Sequence, residues 1–224
     1  MKIQSYGSVA ALTLAITYLF GFVLFFVVLD SSEYDTPEGY LSYFIAQRDT
    51  FFMGYIIIGI IFSFALLLLV QAIYRRFQSL TPHLSHYTAA VGYIWAAIVL
   101  ASTMIFLSSI SAVAKFHGSD PEQALIINRT ISIVVDALGG GIELVGAVWV
   151  LAISYAGIKH RVWPKLLHFW GVLVGVAGIL TLFSGLSFLA DNLLFGVTTA
   201  IFGLGQIVWF IALGIAMLKE QKQP

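Results

Sequence analysis

Long apolar stretches separated by short polar loops make up most of this 224-residue chain. Each stretch is long enough for a helix to cross the roughly 30 Å of hydrocarbon in a bilayer, which takes about 20 residues. Backbone polar groups in lipid must be paired within their own segment, and the stretches lack the alternation of barrel strands, so helices are favoured. We expect an all-α integral membrane protein in which residues 1–224 form one transmembrane domain. Its bundle of six transmembrane helices is predicted at about 8–29, 51–74, 87–114, 127–156, 166–189 and 193–218.

Basic residues are distributed unevenly between the two sides of these six spans. Lys and Arg are retained on the cytoplasmic side during insertion, so their distribution sets the orientation. The pattern predicts cytoplasmic N- and C-termini and an acidic outer face, in a multi-pass protein of the inner (plasma) membrane. Arg48, Lys115 and Arg129 would then lie outside, against eight basic residues inside: Lys2, Arg75, Arg76, Lys159, Arg161, Lys165, Lys219 and Lys222.

Two helix-start signals stand at the predicted outer side. In Thr36-Pro37-Glu38, Thr can cap a helix, Pro suits the first position and Glu suits the positive end. We expect a helix over about 37–48 that either lies at the outer membrane interface or packs over the bundle. Ser119-Asp120-Pro121-Glu122 repeats the signal, so the fourth helix is expected to begin there and continue to Gly157.

The composition narrows the possible partners. Sixty per cent of the residues are apolar, 10% are charged, and the mean hydropathy is +0.96, so the lipid bilayer is the expected surrounding. No basic run could neutralise phosphates, and we predict no nucleic-acid partner. The chain has no Cys, which excludes disulfides and thiolate metal sites.

The predicted fourth span carries the most costly residues of the chain. Asp136 and Glu143 fall near the middle of the bilayer, where an ionised acid costs roughly 2.5 to 3.5 kcal/mol. Seven residues apart, they would share one helix face about 10 Å apart, with Arg129 another seven residues back. Burial disfavours the charged carboxyl, so such a group can exchange a proton or a cation. We therefore predict an ion or proton site at Asp136, Glu143 and Arg129.

Three consecutive glycines stand beside these acids. Gly139, Gly140 and Gly141 each weaken a helix by about 1 kcal/mol relative to Ala, and an interrupted span at mid-depth is typical of transporter binding sites. The glycines are thus expected to act as a hinge, or only to admit a bulky neighbouring helix. In that second interpretation the acids pair with polar side chains, for which the candidates are Gln206, Ser102, Thr103 and Ser108.

Histidines offer a weak alternative chemistry. His83, His86, His160 and His168 fall at the predicted cytoplasmic ends of the spans, where they could in principle converge on a metal. Interfacial or structural roles are favoured, because few of them have tight helical spacing. No histidine lies at mid-depth to bind haem, and no nucleophile elbow, phosphate loop or dinucleotide turn occurs. We predict no cofactor and favour a function other than catalysis.

Short motifs in the second half resemble a known family. They are Ser154-Tyr155, Trp163-Pro164-Lys165, Leu167 with Gly171, and Gln206 with Trp209 and Gly214. In these the chain is similar to uncharacterised bacterial six-span membrane proteins of domain-of-unknown-function family 4386. The resemblance implies a bacterial origin and a six-span topology, and it implies no mechanism. The family usually has an acidic residue where this chain has Gln206.

Three functions stay open at this point. The acids and glycines favour proton- or cation-linked transport of a small solute. The small size and minimal loops are also typical of an accessory or assembly subunit, bound to other membrane subunits or to copies of itself. A metal or haem membrane enzyme is the third alternative, and lipid or quinone binding leaves no signature in composition.

Overall fold

The computed structural model describes residues 3–140, 143–189 and 192–221. Within these residues the backbone is helical, with short π-helical and 3-10 turns and no strand, which confirms the predicted all-α class. The helices are α1 (Ile3–Val23), α2 (Pro37–Ala46), α3 (Arg48–Tyr55), α4 (Phe62–Phe77), α5 (Pro82–Ser119), α6 (Pro121–Val135), α7 (Leu144–His160), α8 (Lys165–Thr181) and α9 (Leu193–Gln221).

Five helical segments in the described part of the chain are long and apolar enough to cross a membrane. The chain is therefore an all-α, multi-pass membrane protein. The segments are Ile3–Val28, Arg48–Phe77, Pro82–Ser119, Lys165–Gly185 and Leu193–Glu220.

The structure divides the fourth predicted span into two helices. Helix α6 ends at Val135, a π-helical turn occupies Asp136–Gly140, and α7 begins at Leu144. Glycine weakens a helix through its backbone entropy, which accounts for the departure from α-helix in the turn that contains Gly139 and Gly140. Gly139 and Gly140 belong to the π-helical turn, whereas Gly141 lies outside the described residues. Helix α7 alone has 17 residues and is short for a span.

Capping side chains begin two of the helices. The Thr36 hydroxyl accepts a hydrogen bond from the backbone N–H of Gly39 at 3.1 Å, in front of Pro37. The Asp120 carboxylate accepts one from the backbone N–H of Gln123, also at 3.1 Å. Each side chain pairs one of the amides that a helix N-terminus leaves free.

Six helices form a closed ring: α1, α4, α5, α7, α8 and α9. Helix α1 packs against α4 and α9, α5 joins α4 to α7, and α8 joins α7 to α9, with α6 outside the ring against α5. A row of indole rings crosses the centre of this ring: Trp95 and Trp149 lie 5.7 Å apart, and Trp149 and Trp209 lie 5.9 Å apart. Trp149 and Trp209 are fully buried, so this row is part of the packed core.

One end of the ring collects the basic residues, and we call it the basic end. It comprises Arg75, Arg76, Lys159, Arg161, Lys165 and Lys219. Contacts between helix ends hold it together: Arg76 forms an ion pair of 2.6 Å with Glu220, and the Trp163 indole N–H donates to the same carboxylate at 3.0 Å. Phe77 packs edge-on against Trp163 at 5.6 Å. The ends of α4, α7 and α9 and the start of α8 therefore lie together.

The opposite end is covered by the short helix α2. Its buried side chains Tyr43 and Phe44 pack against Phe51 of α3, with ring centroids 6.3 and 5.1 Å apart. Phe44 also contacts Phe106 of α5 at 6.0 Å. Helix α2 thus packs over the bundle, which is one of the two arrangements expected from the sequence.

Candidate functional site

A cavity of about 320 Å³ is lined by residues of α1 and the turn Leu24–Val28, of the turn Ile56–Ile61 and α4, of α5, and by Glu143, which precedes α7. The described residues that line it are mostly apolar, and six of the eleven are aromatic. They are Thr17, Tyr18, Gly21, Phe22, Phe25, Phe26, Ile58, Phe62, Trp95, Val99 and Glu143.

Edge-to-face contacts order the aromatic wall of this cavity. The rings of Tyr18 and Phe62 lie 5.6 Å apart at 69°, and those of Phe62 and Trp95 lie 5.6 Å apart at 71°. Phe22 and Phe26 stack with their ring centroids 5.8 Å apart. Such arrangements fix ring orientations, so the wall has a defined shape.

Among the described residues that line the cavity, Glu143 is the only acidic or basic one. It stands directly before α7, and its backbone N–H donates to the Thr181 hydroxyl of α8 at 3.4 Å. Thr181 in turn donates to the backbone carbonyl of Gly178 at 2.6 Å. Within the described part of the chain, the Glu143 carboxyl has neither a hydrogen bond nor an ion pair. An acid with an apolar surround and no fixed partner is free to bind a proton or a cation.

Asp136 lies apart from this cavity. It is exposed at the first position of the π-helical turn, and it does not line the cavity. The expected shared face with Glu143 required a continuous helix, and the interruption removes that alignment. The charge of Asp136 acts instead on Tyr40 of helix α2. The pKa of Tyr40 is raised mainly by burial, and to a smaller extent by Tyr43 and by the charge of Asp136. Of the two acids, only Glu143 is among the described residues that line the cavity.

Arg129 is exposed on α6, in a shallow groove beside helix α2. The groove also contains Asp35, Asn128 and Ser132. No ion pair joins Arg129 to Asp136 among the described residues. The predicted row of Arg129 and the two acids is thus not assembled into a single polar site.

None of the four polar side chains proposed as partners of the acids has a hydrogen bond to either acid in the described part of the chain. Ser102 donates to the backbone carbonyl of Val135 at 3.3 Å, and Thr103 to that of Val99 on its own helix at 2.7 Å. Ser108 is exposed on a groove between α5 and α6. Gln206 is fully buried, and its amide atoms have no hydrogen-bond partner in the described part of the chain.

The histidines are dispersed. His83 and His86 are exposed at the start of α5, and the ring of His86 lies 5.2 Å from that of Tyr74. His160 ends α7, and His168 is buried in α8, where a ring nitrogen hydrogen-bonds to the carbonyl of Val162. No group of three metal-ligating side chains occurs in the residues that the structure describes.

The structure describes three π-helical turns, none of which was predicted from the sequence, and two of them contribute lining residues to the cavity. Leu24–Val28 extends α1, Ile56–Ile61 joins α3 to α4, and Asp136–Gly140 precedes α7. Such turns are frequent at functional sites. The aromatic wall was missed as well, although Tyr18, Phe22, Phe25 and Phe26 follow the i, i+4, i+7, i+8 spacing of one helix face.

Comparison with known proteins gives one family match of broad coverage. The family model described as a domain of unknown function (DUF4386) matches residues 9–214, which includes every lining residue of the cavity. No curated protein and no solved structure matches the chain.

Proposed function

Because the chain belongs to the DUF4386 family, a family defined without an activity, we propose a function from the site itself. The protein is proposed to carry a small solute across the membrane, coupled to protons, with Glu143 as the proton-exchanging group. The observation that supports this is the Glu143 carboxyl in an apolar cavity, without a fixed partner in the described residues.

The position of Glu143 supports a transport role in two ways. Holding an ionised acid away from water costs several kcal/mol, so a carboxyl there is poised to take up and release a proton. Glu143 also lies at the break between α6 and α7, and interrupted spans place binding groups at mid-depth in transporters. A break in the helix gives the site a place to change conformation.

We also propose the finer topology: six crossings, with α6 and α7 together making the fourth, both termini in the cytoplasm, and location in a bacterial inner membrane. Support comes from the basic end, where the ends of α4, α7 and α9 meet. Lys and Arg concentrated at one end of a bundle favour its cytoplasmic location.

Solute-driven proton movement tests the transport proposal. Purified protein is placed in liposomes that enclose a pH-sensitive dye, and small apolar amines, alcohols and carboxylates are added outside, one class at a time. We expect liposomes with the wild-type protein to change their internal pH faster than protein-free liposomes with at least one class. Glu143→Gln should slow this response at least about tenfold, because an amide cannot exchange the proton.

Asp136→Asn and Arg129→Gln are the matched controls, because neither residue lines the cavity, and both variants should keep the response. No response of the wild-type protein to any class, or an undiminished response in Glu143→Gln, contradicts the proposal. Absence of flux combined with stable co-purification of other subunits from the native host would indicate an accessory subunit instead.

A further inference from the structure

We propose that the solute of this cavity is a lipophilic organic cation, such as a quaternary ammonium with an aromatic or alkyl substituent. The inference rests on the proposed function in taking Glu143 as the exchanging group. It adds the chemical class of the ligand and the reason for the aromatic lining.

The aromatic content of the cavity is the first support. Six of the eleven described lining residues are Phe, Tyr or Trp, against 15% in the whole chain. Aromatic faces attract cations through the ring quadrupole, and cages of such rings recognise quaternary ammonium groups. A purely apolar ligand would bind equally well to a wall of aliphatic residues, which dominate the rest of the chain.

Charge complementarity is the second support. Glu143 gives the cavity one negative charge, and no described lining residue is basic. An anionic solute would therefore meet repulsion, and a neutral polar solute would find few hydrogen-bonding groups. The Thr17 hydroxyl is already engaged, donating to the carbonyl of Leu14 at 2.9 Å.

The size and the mouth of the cavity fit a ligand that reaches it through the membrane. A volume of about 320 Å³ falls at the lower end of the range for small-molecule sites. Phe25 and Phe26 line the cavity and have exposed side chains, with exposed fractions of 36% and 74%, so the cavity is open where they lie. A lipophilic cation that partitions into the bilayer can enter from this side.

Binding of the cation should compete with a proton on Glu143. Among the other groups that face Glu143, helix α1 contributes the phenol of Tyr18 and α8 the hydroxyl of Thr181, while the described lining residues of α4 and α5 carry no titratable group. Asp136 on the preceding turn is exposed and outside the cavity. Affinity for the cation should therefore rise with pH as Glu143 loses its proton.

The experiment compares a cation with its neutral isostere. Calorimetry measures the binding of benzyltrimethylammonium and of neopentylbenzene to the purified protein in lipid nanodiscs, with empty nanodiscs subtracted. We expect the cation to bind more tightly than the neutral isostere, and more tightly at high pH than at low pH. Glu143→Gln should weaken cation binding about tenfold or more, and Asp136→Asn should leave it unchanged.

Phe22→Leu separates the contribution of the aromatic ring to cation binding from that of an apolar side chain. Leu keeps an apolar side chain on the wall and removes one ring. It should weaken cation binding by about two- to thirtyfold and barely change that of the neutral isostere. This variant and the pH dependence of the wild-type protein keep the test decisive even if Glu143→Gln does not fold.

Three results would overturn the inference: equal affinity for the cation and its isostere, cation binding independent of both pH and Glu143, or no cation binding by the folded protein. The outcome is separable from that of the transport assay. Proton movement driven only by alcohols or carboxylates would retain the carrier and reject the cation. Cation binding without flux would retain the site and reject the carrier.

Discussion

At the residue scale, the structure depends on where polar groups find partners inside an apolar bundle. A polar group in lipid is costly unless it has a hydrogen-bond partner. The Ser102 hydroxyl of α5 has one, because it donates to the backbone carbonyl of Val135, the last residue of α6 before the π-helical turn. Glu143, by contrast, keeps its carboxyl without a fixed partner in the described residues, at the cavity.

Removal of the Ser102 hydroxyl should destabilise the protein. Ser102→Ala removes the hydrogen bond between α5 and the Val135 carbonyl, and we expect a loss of about 0.5 to 1 kcal/mol in the free energy of unfolding. Ser108→Ala is the matched control on the same helix, because Ser108 is exposed, and it should change stability by less than about 0.5 kcal/mol. Reversible unfolding in mixed detergent micelles measures both. Equal effects would show that the bond to Val135 contributes nothing.

At the element scale, glycines allow the π-helical turns and their neighbours to approach closely. Gly59 lies in the turn Ile56–Ile61, and a methyl group there would collide with the buried side chain of Thr103 on α5. The same principle joins α7 to α8, where Gly171 accommodates Ser154 and Gly157 accommodates His168. Small residues at helix contacts are the usual means of close packing in membranes.

A methyl group at position 59 should therefore strain the wall of the cavity. We expect Gly59→Ala to lower the free energy of unfolding by about 1 to 3 kcal/mol through overpacking, and adding Thr103→Ala should recover part of the loss. Gly118→Ala is the control in α5, since nothing lies within 4 Å of the added group. That control should be neutral or slightly stabilising. Additive effects of the two substitutions at Gly59 and Thr103 would contradict the predicted contact.

At the scale of the whole molecule, the charged residues are distributed unevenly between the two ends of the ring. The basic end unites residues that are far apart in sequence, as in the ion pair of Arg76 with Glu220. The opposite end carries helix α2 and the acidic residues Asp30, Glu33, Asp35, Glu38, Asp49, Asp120 and Glu122. This asymmetry is the basis of the proposed orientation.

Cysteine labelling tests that orientation directly, because the natural chain contains no Cys. Ser79→Cys and Lys165→Cys place a thiol at exposed positions near the basic end, and Ser119→Cys places one at the far end of α5. In intact cells, a membrane-impermeant maleimide should label position 119 only, and all three after the membrane is opened. Labelling of position 165 in intact cells would show that α6 and α7 do not together cross the membrane.

The sequence by itself determined the all-α membrane class, because apolar length and unpaired backbone in lipid leave little choice. It also located the helix starts at Pro37 and Pro121, because local capping determines where a helix begins. It identified Glu143 as a candidate because an acid in the middle of a span is costly. These are properties of single residues or of one segment.

Only the tertiary structure decided which residues share a site. Asp136, in the π-helical turn before α7, is not among the described lining residues of the cavity, and packing of α1, α4 and α5 supplied the aromatic wall that Glu143 faces. The sequence contains these rings at helical spacing, but spacing cannot say whether a ring faces lipid, core or cavity. That choice depends on contacts between helices distant in the chain, such as Phe62 with Trp95, and therefore on the whole ring.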